Sequence, residues 1–171
     1  GEGAGYAGGI LSAAVDGKGA VHSSTLAREH LQAGRPQGAA AILGRAWEIA
    51  GRVEHGSKLG RKLGFPTANV QMKHNRPPLA GIFAVRLHGA ADEPLRGVAS
   101  LGVRPTGKQG GAPVLEVHAL DFDGELYRRH VRVEFLHKFR DEEKYADLAT
   151  LTKRIALDVE NAREFFRRKA A

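Results

Sequence analysis

Four stretches rich in β-branched and aromatic residues follow one another with no helical segment between them: residues 81–88, 95–101, 113–122 and 125–136. Residues 46–55 form another such stretch upstream. Parallel neighbours need a crossover of a dozen or more residues, usually a helix, and most of these gaps are too short for one. The pattern therefore predicts an antiparallel barrel or sandwich of five or six strands. Closing it as a barrel would leave no unpaired strand edge. Asp123-Gly124 is a strong tight-hairpin signal between the last two stretches, and residues 89–94 read as a turn joining two others.

Helical signals are confined to the ends. Ser23-Ser24-Thr25 offers N-cap oxygens, and Leu26, Ala27, His30 and Leu31 follow at helical spacing up to Gly34. Residues 37–43 read as a second short helix ended by Gly44, so residues 24–43 are expected to form a helical hairpin. Near the C-terminus, Asp147 can cap a helix with an apolar stripe of Leu148, Leu151, Ile155, Val159, Ala162 and Phe166. That helix would end in Arg167-Arg168-Lys169, cations at the negative end of its dipole. Residues 1–22 carry many glycines and no clean period, and are expected to be a poorly ordered lead-in.

Composition narrows the chemistry. The chain has no cysteine, which excludes disulfides, zinc–thiolate sites, iron–sulfur clusters and cysteine nucleophiles. It contains no apolar run of about 18 residues and no basic segment followed by an apolar core at the N-terminus, so a cytoplasmic location is expected by elimination. The 26 basic and 19 acidic residues leave a net charge of +7, which suits nucleic acid, an anionic membrane or nucleotide phosphates. Seven Phe, three Tyr and one Trp are too few for the aromatic platforms of single-strand binders. Glycine is over-represented, with 22 residues, which means many tight turns or backbone brought close to a ligand.

The densest candidate for chemistry is residues 51–69. Gly56, Gly60 and Gly64 recur there with Lys58, Arg61 and Lys62 between them. Exposed amides and cations on such a segment suit a phosphate chain, although the spacing is not the P-loop pattern. A solvated basic loop and nucleic-acid backbone contact are the alternatives. Thr67 and Asn69 stand two apart, so in a strand they share a face. Their neutral oxygens could complete a magnesium shell only if nucleotide phosphates supplied the charge; otherwise they are an ordinary strand start. Glu116 lies mid-strand among apolar neighbours, where a carboxylate is costly without a partner or a purpose. It is a candidate general base, or a barrel-mouth glutamate paired with a cation. His118, on the same face, reads as structural rather than catalytic. The other histidines show no metal-ligand spacing, and Arg128-Arg129-His130 reads as a solvated face.

At Gly60-Arg61-Lys62-Leu63-Gly64-Phe65-Pro66-Thr67-Ala68-Asn69 the sequence strongly resembles the signature of riboflavin kinases. It is most similar to the kinase module of bacterial bifunctional riboflavin kinase/FAD synthetases. Gly81-Ile82-Phe83-Ala84-Val85, Gly97-Val98-Ala99-Ser100-Leu101-Gly102-Val103-Arg104-Pro105-Thr106 and Leu115-Glu116-Val117-His118 match further family segments in order. So do Asp121-Phe122 with Leu126-Tyr127, residues 131–136 and residues 139–145. The match covers roughly residues 44–160. Upstream, His22-Ser23-Ser24-Thr25-Leu26-Ala27-Arg28 resembles the motif that closes the family's adenylyltransferase module, whose H-x-G-H motif is absent from these 171 residues.

The resemblance implies a mainly β fold: a six-stranded Greek-key barrel with a long C-terminal helix and a short N-terminal helical hairpin. It divides the chain into the lead-in 1–22, a helical remnant of the adenylyltransferase module at 23–45 and the kinase barrel with its helix at 46–171. The implied reaction is transfer of the ATP γ-phosphoryl group to the ribityl terminal hydroxyl of riboflavin, giving FMN and ADP. FMN adenylylation is not expected from this chain alone. In the implied site Gly56, Lys58, Gly60, Arg61, Lys62 and Gly64 cradle the phosphates, and Thr67 and Asn69 complete the shell of the magnesium that accompanies ATP. Glu116 is the base. The flavin would lie between the barrel mouth and residues 139–157, where Arg104, Phe139, Arg140 and Tyr145 could meet it. Ser100 stands where the family usually has Asn, and Gly107 where an aromatic residue often follows. No nucleic-acid or membrane partner is implied. The rival readings are a basic barrel that binds nucleic acid without catalysis, and a flavin carrier without turnover.

Overall fold

Alternation of inward apolar and outward side chains closes six antiparallel strands into a barrel. This is seen in a computed structural model that describes residues 17–54, 62–72, 77–104, 112–122 and 124–170. The strands are β1 (Trp47–Glu54), β2 (Ala68–Val70), β3 (Gly81–His88), β4 (Leu95–Arg104), β5 (Ala112–Ala119) and β6 (His130–Arg140). Two helices, α1 (Gly17–Gln32) and α2 (Pro36–Leu43), precede them, and α3 (Leu148–Ala170) follows. The barrel order is β1-β2-β5-β4-β3-β6, with β6 closing onto β1. Strands β3, β4 and β5 follow as a meander, and β6 returns beside β3, which is a Greek key.

Each strand sends one face inward. Val85, Leu87, Leu101, Leu115, Val117, Val133 and Phe135 are almost fully buried there. The Phe83 and Phe135 rings meet edge to face with centroids 5.2 Å apart, and Trp47 packs on Phe135 at 5.2 Å. A second apolar layer lies outside the barrel. Ile82, Ala84 and Val98 meet Val159, Ala162 and Phe166 of α3. Strand β3 is thus covered on both faces, which is why residues 81–87 read as a nearly unbroken apolar run.

The hairpin of α1 and α2 adds Ala27, Leu31 and Ala39 to the core. Gly44 ends α2 in the left-handed conformation, φ 80°, and its N–H donates to Ala40 O. Helix α1 begins at Gly17, inside the segment expected to be a lead-in, and Ser23-Ser24-Thr25 lie within the helix rather than at its cap. No proline stands between Gly19 and Ser23 to stop the backbone from continuing upstream. Residues 1–16 lie outside the described residues.

At the other end the cap is formed as expected. Asp147 Oδ1 accepts from the Thr150 N–H at 2.7 Å and Oδ2 from its hydroxyl at 3.2 Å. Val159, Ala162 and Phe166 are buried, whereas Leu148, which the spacing puts on the same stripe, is 57% exposed. The stripe also carries a charge. Asp158 is 5% exposed and forms two parallel hydrogen bonds with Arg140 of β6, Nε–Oδ1 at 2.8 Å and Nη2–Oδ2 at 2.6 Å. These bonds raise the Arg140 pKa further above its ordinary value.

The largest difference from the sequence reading concerns residues 120–130. Strands β5 and β6 are not a hairpin pair: β5 lies between β2 and β4, and β6 between β1 and β3. Strand β6 begins at His130 and runs to Arg140, shifted toward the C-terminus from residues 125–136. The chain leaves β5 through Asp121, φ 55°, whose carboxylate accepts from Arg163 of α3. Leu126 then tucks into the core, and Arg128 and Arg129 hydrogen-bond the end of β1 at Val53. Burial of Leu126 and the backbone bonds of residues 128 and 129 to Val53 outweigh the local turn preference. Asp123 itself lies outside the described residues.

Removing one member of the Arg140–Asp158 pair leaves the other charge buried and uncompensated, which typically costs about 3–5 kcal/mol. Asp158→Ala is therefore expected to lower the urea midpoint markedly. Arg140→Met combined with Asp158→Leu is expected to recover most of the loss, because the apolar pair needs no compensation.

Candidate functional site

One row of register partners circles the outside of the barrel. Glu54 pairs with Asn69, Asn69 with Glu116, Glu116 with Ser100, Ser100 with Ile82, and Ile82 with Arg140. Directly opposed residues on paired strands share a face. The ladder thus brings an amide, a carboxylate, a hydroxyl and a guanidinium from four strands to one outer surface.

A cavity of about 380 Å³ lies over this row, within the roughly 300–1,000 Å³ of small-molecule sites. Ile82, Val98 and Ala99 of the sheet form one apolar wall, and Leu151 and Ile155 of α3 form another. Leu63, Phe65 and Thr67 close the near edge, and Glu142, Glu143 and Tyr145 the far edge. Glu116 and Ser100 look in from the sheet. The site is therefore a slot whose apolar walls also carry polar groups.

Local hydrogen bonds fix its edges. His118 Nδ1 lies 2.8 Å from the Pro66 carbonyl, and since a carbonyl only accepts, Nδ1 carries the proton. With the Phe65 ring edge-on to the imidazole at 5.8 Å, this pins residues 65–67 to β5 and sets the position of Thr67. His118 is thus a positioning group at the slot. Across it, Ser100 Oγ donates to Glu142 Oε1 at 2.6 Å. The Glu142 carboxylate also lies over Gly102, filling the space where any Cβ would stand. Tyr145 OH donates to Glu143 Oε2 at 3.3 Å.

Several residues singled out from the sequence meet here. Thr67, Glu116, Arg140 and Tyr145 all line the cavity, and Asn69 is the direct partner of Glu116. The Arg140 guanidinium is engaged by Asp158, so it braces the slot's wall. Phe139 is not among the lining residues; it packs against His137 and Phe165 instead. Lys62 is exposed, and Gly64 holds φ 90° just before Phe65. Gly56, Lys58, Gly60, Arg61 and Gly107 lie outside the described residues, as does the Arg104 side chain. Sequence reasoning missed Glu142 and Asp158. Asp158 was detectable as a charge inside an apolar stripe. Glu142 sits in the run Asp141-Glu142-Glu143-Lys144, which carries no sign that one member turns inward.

Gly102→Ala is expected to keep the fold but displace Glu142, breaking its bond to Ser100 at a cost on the order of 1 kcal/mol. Adding Ser100→Ala should cost little more, because both changes break the same contact. Fully additive losses in urea unfolding would show that Gly102 does not serve to seat Glu142.

Comparison with known proteins bears on this geometry. The family model "Flavokinase: Riboflavin kinase" matches residues 43–166. The bifunctional riboflavin kinase/FMN adenylyltransferase of Escherichia coli K12 is 44% identical over 144 residues, 84% of this chain and 46% of that protein. The protein of the same description from Pseudomonas fluorescens is 48% identical over 141 residues, 82% of this chain and 45% of its own length. The chain thus spans a little under half the length of these relatives. A crystal structure described as a macrolide-efflux protein from Streptococcus pneumoniae superposes with a TM-score of 0.75 at 31% identity, over 86% of this chain and 48% of that one. The efflux description is that protein's, and the superposition gives a shared architecture. With the match spanning every strand of the barrel and most of α3, the chain belongs to the riboflavin kinase family.

Proposed function

We propose that the chain transfers the γ-phosphoryl group of ATP to the ribityl terminal hydroxyl of riboflavin, releasing FMN and ADP. The observation that carries this reading is the slot itself. A cavity with apolar walls opens beside the Phe65-Pro66-Thr67 segment, with the Glu116 carboxylate in its sheet wall and Asn69 as its cross-strand partner. Phosphoryl transfer asks mainly for positioning and charge stabilisation, and the slot offers both kinds of group side by side.

The apolar walls from Ile82, Val98, Leu151 and Ile155 take the flavin ring and exclude water around it. The ribityl chain then runs toward Glu116, which accepts the proton of the attacking hydroxyl. Lys62 and the preceding segment with Gly56, Lys58, Gly60 and Arg61 supply cations and amides for the phosphates. Thr67 and Asn69 offer only neutral oxygens. They fit a magnesium ion that arrives with nucleotide phosphates, and not one held by protein alone. When bound, that ion neutralises charge on the phosphate oxygens. A cytoplasmic location accords with the need for ATP.

The test is a discontinuous assay in which the chain, riboflavin, ATP and magnesium are incubated and the flavins separated by chromatography. FMN without FAD is expected, and binding of nucleotide or flavin with no FMN formed would overturn the reading. Glu116→Gln is expected to lower turnover by about 10²–10⁴-fold while nucleotide still binds. Turnover near the parent's would remove Glu116 from the role of base. Asn69→Ala is expected to shift the magnesium dependence of the rate to higher concentration, and an unchanged titration would place the metal elsewhere.

A further inference from the structure

A second cluster of ligand-type side chains lies on the outer face of β1, β6 and β3, and the proposed kinase reaction does not use it. Strand alternation places it. Trp47 and Ile49 pack on the core, so Glu48 between them turns outward. Val133 and Phe135 are buried, so Glu134 turns outward, and Leu87 is fully buried, so His88 does the same. Glu48 is the register partner of Glu134, and His88 is the partner of Arg132, two residues from Glu134 on the same face. His88 Nε2 and Glu134 Oε1 are 2.7 Å apart. A ring nitrogen of His88 and one oxygen from each glutamate all lie within 4.8 Å of one another, and this is the one such group among the described residues. None of the three lines the cavity over Glu116.

We propose that Glu48, His88 and Glu134 bind a divalent transition-metal ion of the zinc, cobalt or nickel class. One imidazole nitrogen with two carboxylate oxygens is a donor set that suits these borderline ions. Magnesium and calcium prefer all-oxygen shells, so the ion that accompanies ATP is not a competitor here. All three side chains are partly buried, on strands whose backbones the ladder already holds. His88 Nε2 and Glu134 Oε1, now 2.7 Å apart, have to part by side-chain rotation to admit an ion at about 2.0–2.2 Å from each, and the proton between them leaves to solvent, while the strands stay in place. Arg132 Nη1 lies 3.2 and 3.0 Å from the two oxygens of Glu48 and holds that carboxylate from outside the ligand set. Its positive charge also opposes the metal, which makes the site weaker than a closed structural zinc site. Three protein ligands leave positions open to water. Because only the folded barrel brings the three strands together, binding stabilises the folded state at the seam where the barrel closes.

The experiment is equilibrium dialysis of the full chain against zinc, with cobalt absorption as a reporter of nitrogen and oxygen ligation and thermal unfolding alongside. One site is expected, with a rise in Tm at saturating zinc and no such rise with magnesium. His88→Ala and Glu134→Gln should each weaken that site at least about tenfold. His130→Ala, which changes an exposed histidine of β6 outside the cluster, should leave it intact. FMN formation with magnesium alone should be unchanged in His88→Ala, so failure of this site and failure of the kinase reading are separately visible. Zinc binding that survives both ligand variants would assign it to other residues and overturn the proposal. So would absence of binding by the folded parent chain, which would leave the cluster as a cross-strand ion-pair network.

Discussion

The slot exists because α3 is held against the barrel, and the Arg140–Asp158 pair fixes where it is held. Apolar contact between α3 and β3 is non-directional and would tolerate sliding by a fraction of a turn. Two parallel hydrogen bonds between a planar guanidinium and a carboxylate tolerate little. A buried pair of this kind contributes modest net stability, since desolvation offsets most of the attraction. Its effect is on placement. It sets the distance between the α3 wall and the sheet wall, and so the thickness of the slot.

A second constraint acts from the sheet. The row from Asn69 through Glu116 and Ser100 to Ile82 is fixed by backbone pairing, so these side chains need no further machinery to converge. Only the edges of the slot require local devices. One is the His118–Pro66 bond, and the other is the seat of Glu142 between Ser100 and Gly102. In a pocket built this way the polar groups that are aimed most firmly stand on strands, and the adjustable ones stand on connections.

Much of this was legible in the residues. The sequence pattern places β3 at its observed bounds, because an apolar run between glycines has few other uses. The α3 stripe was legible because its burial follows helical periodicity for several turns. What could not be read was pairing between distant strands. Asp123-Gly124 has the local chemistry of a tight hairpin, yet the neighbour of each strand is chosen by closure of the whole barrel and by the burial of Leu126. The candidate site divides along the same line. Thr67, Asn69 and Glu116 stand out by type and spacing. Glu142 becomes visible only when Gly102, far away in the sequence, is brought beneath it.

Closure joins the ends of the barrel late in the chain. Strands β1 and β6 meet through residues such as Glu48 and Arg132, 84 positions apart, and contacts of that separation form slowly during folding. Trp47, the chain's one tryptophan, sits on this seam against Phe135. Its emission therefore reports when the barrel shuts, while far-ultraviolet dichroism reports the helices at either end. The molecule carries a built-in optical probe that separates sealing of the barrel from formation of its helices.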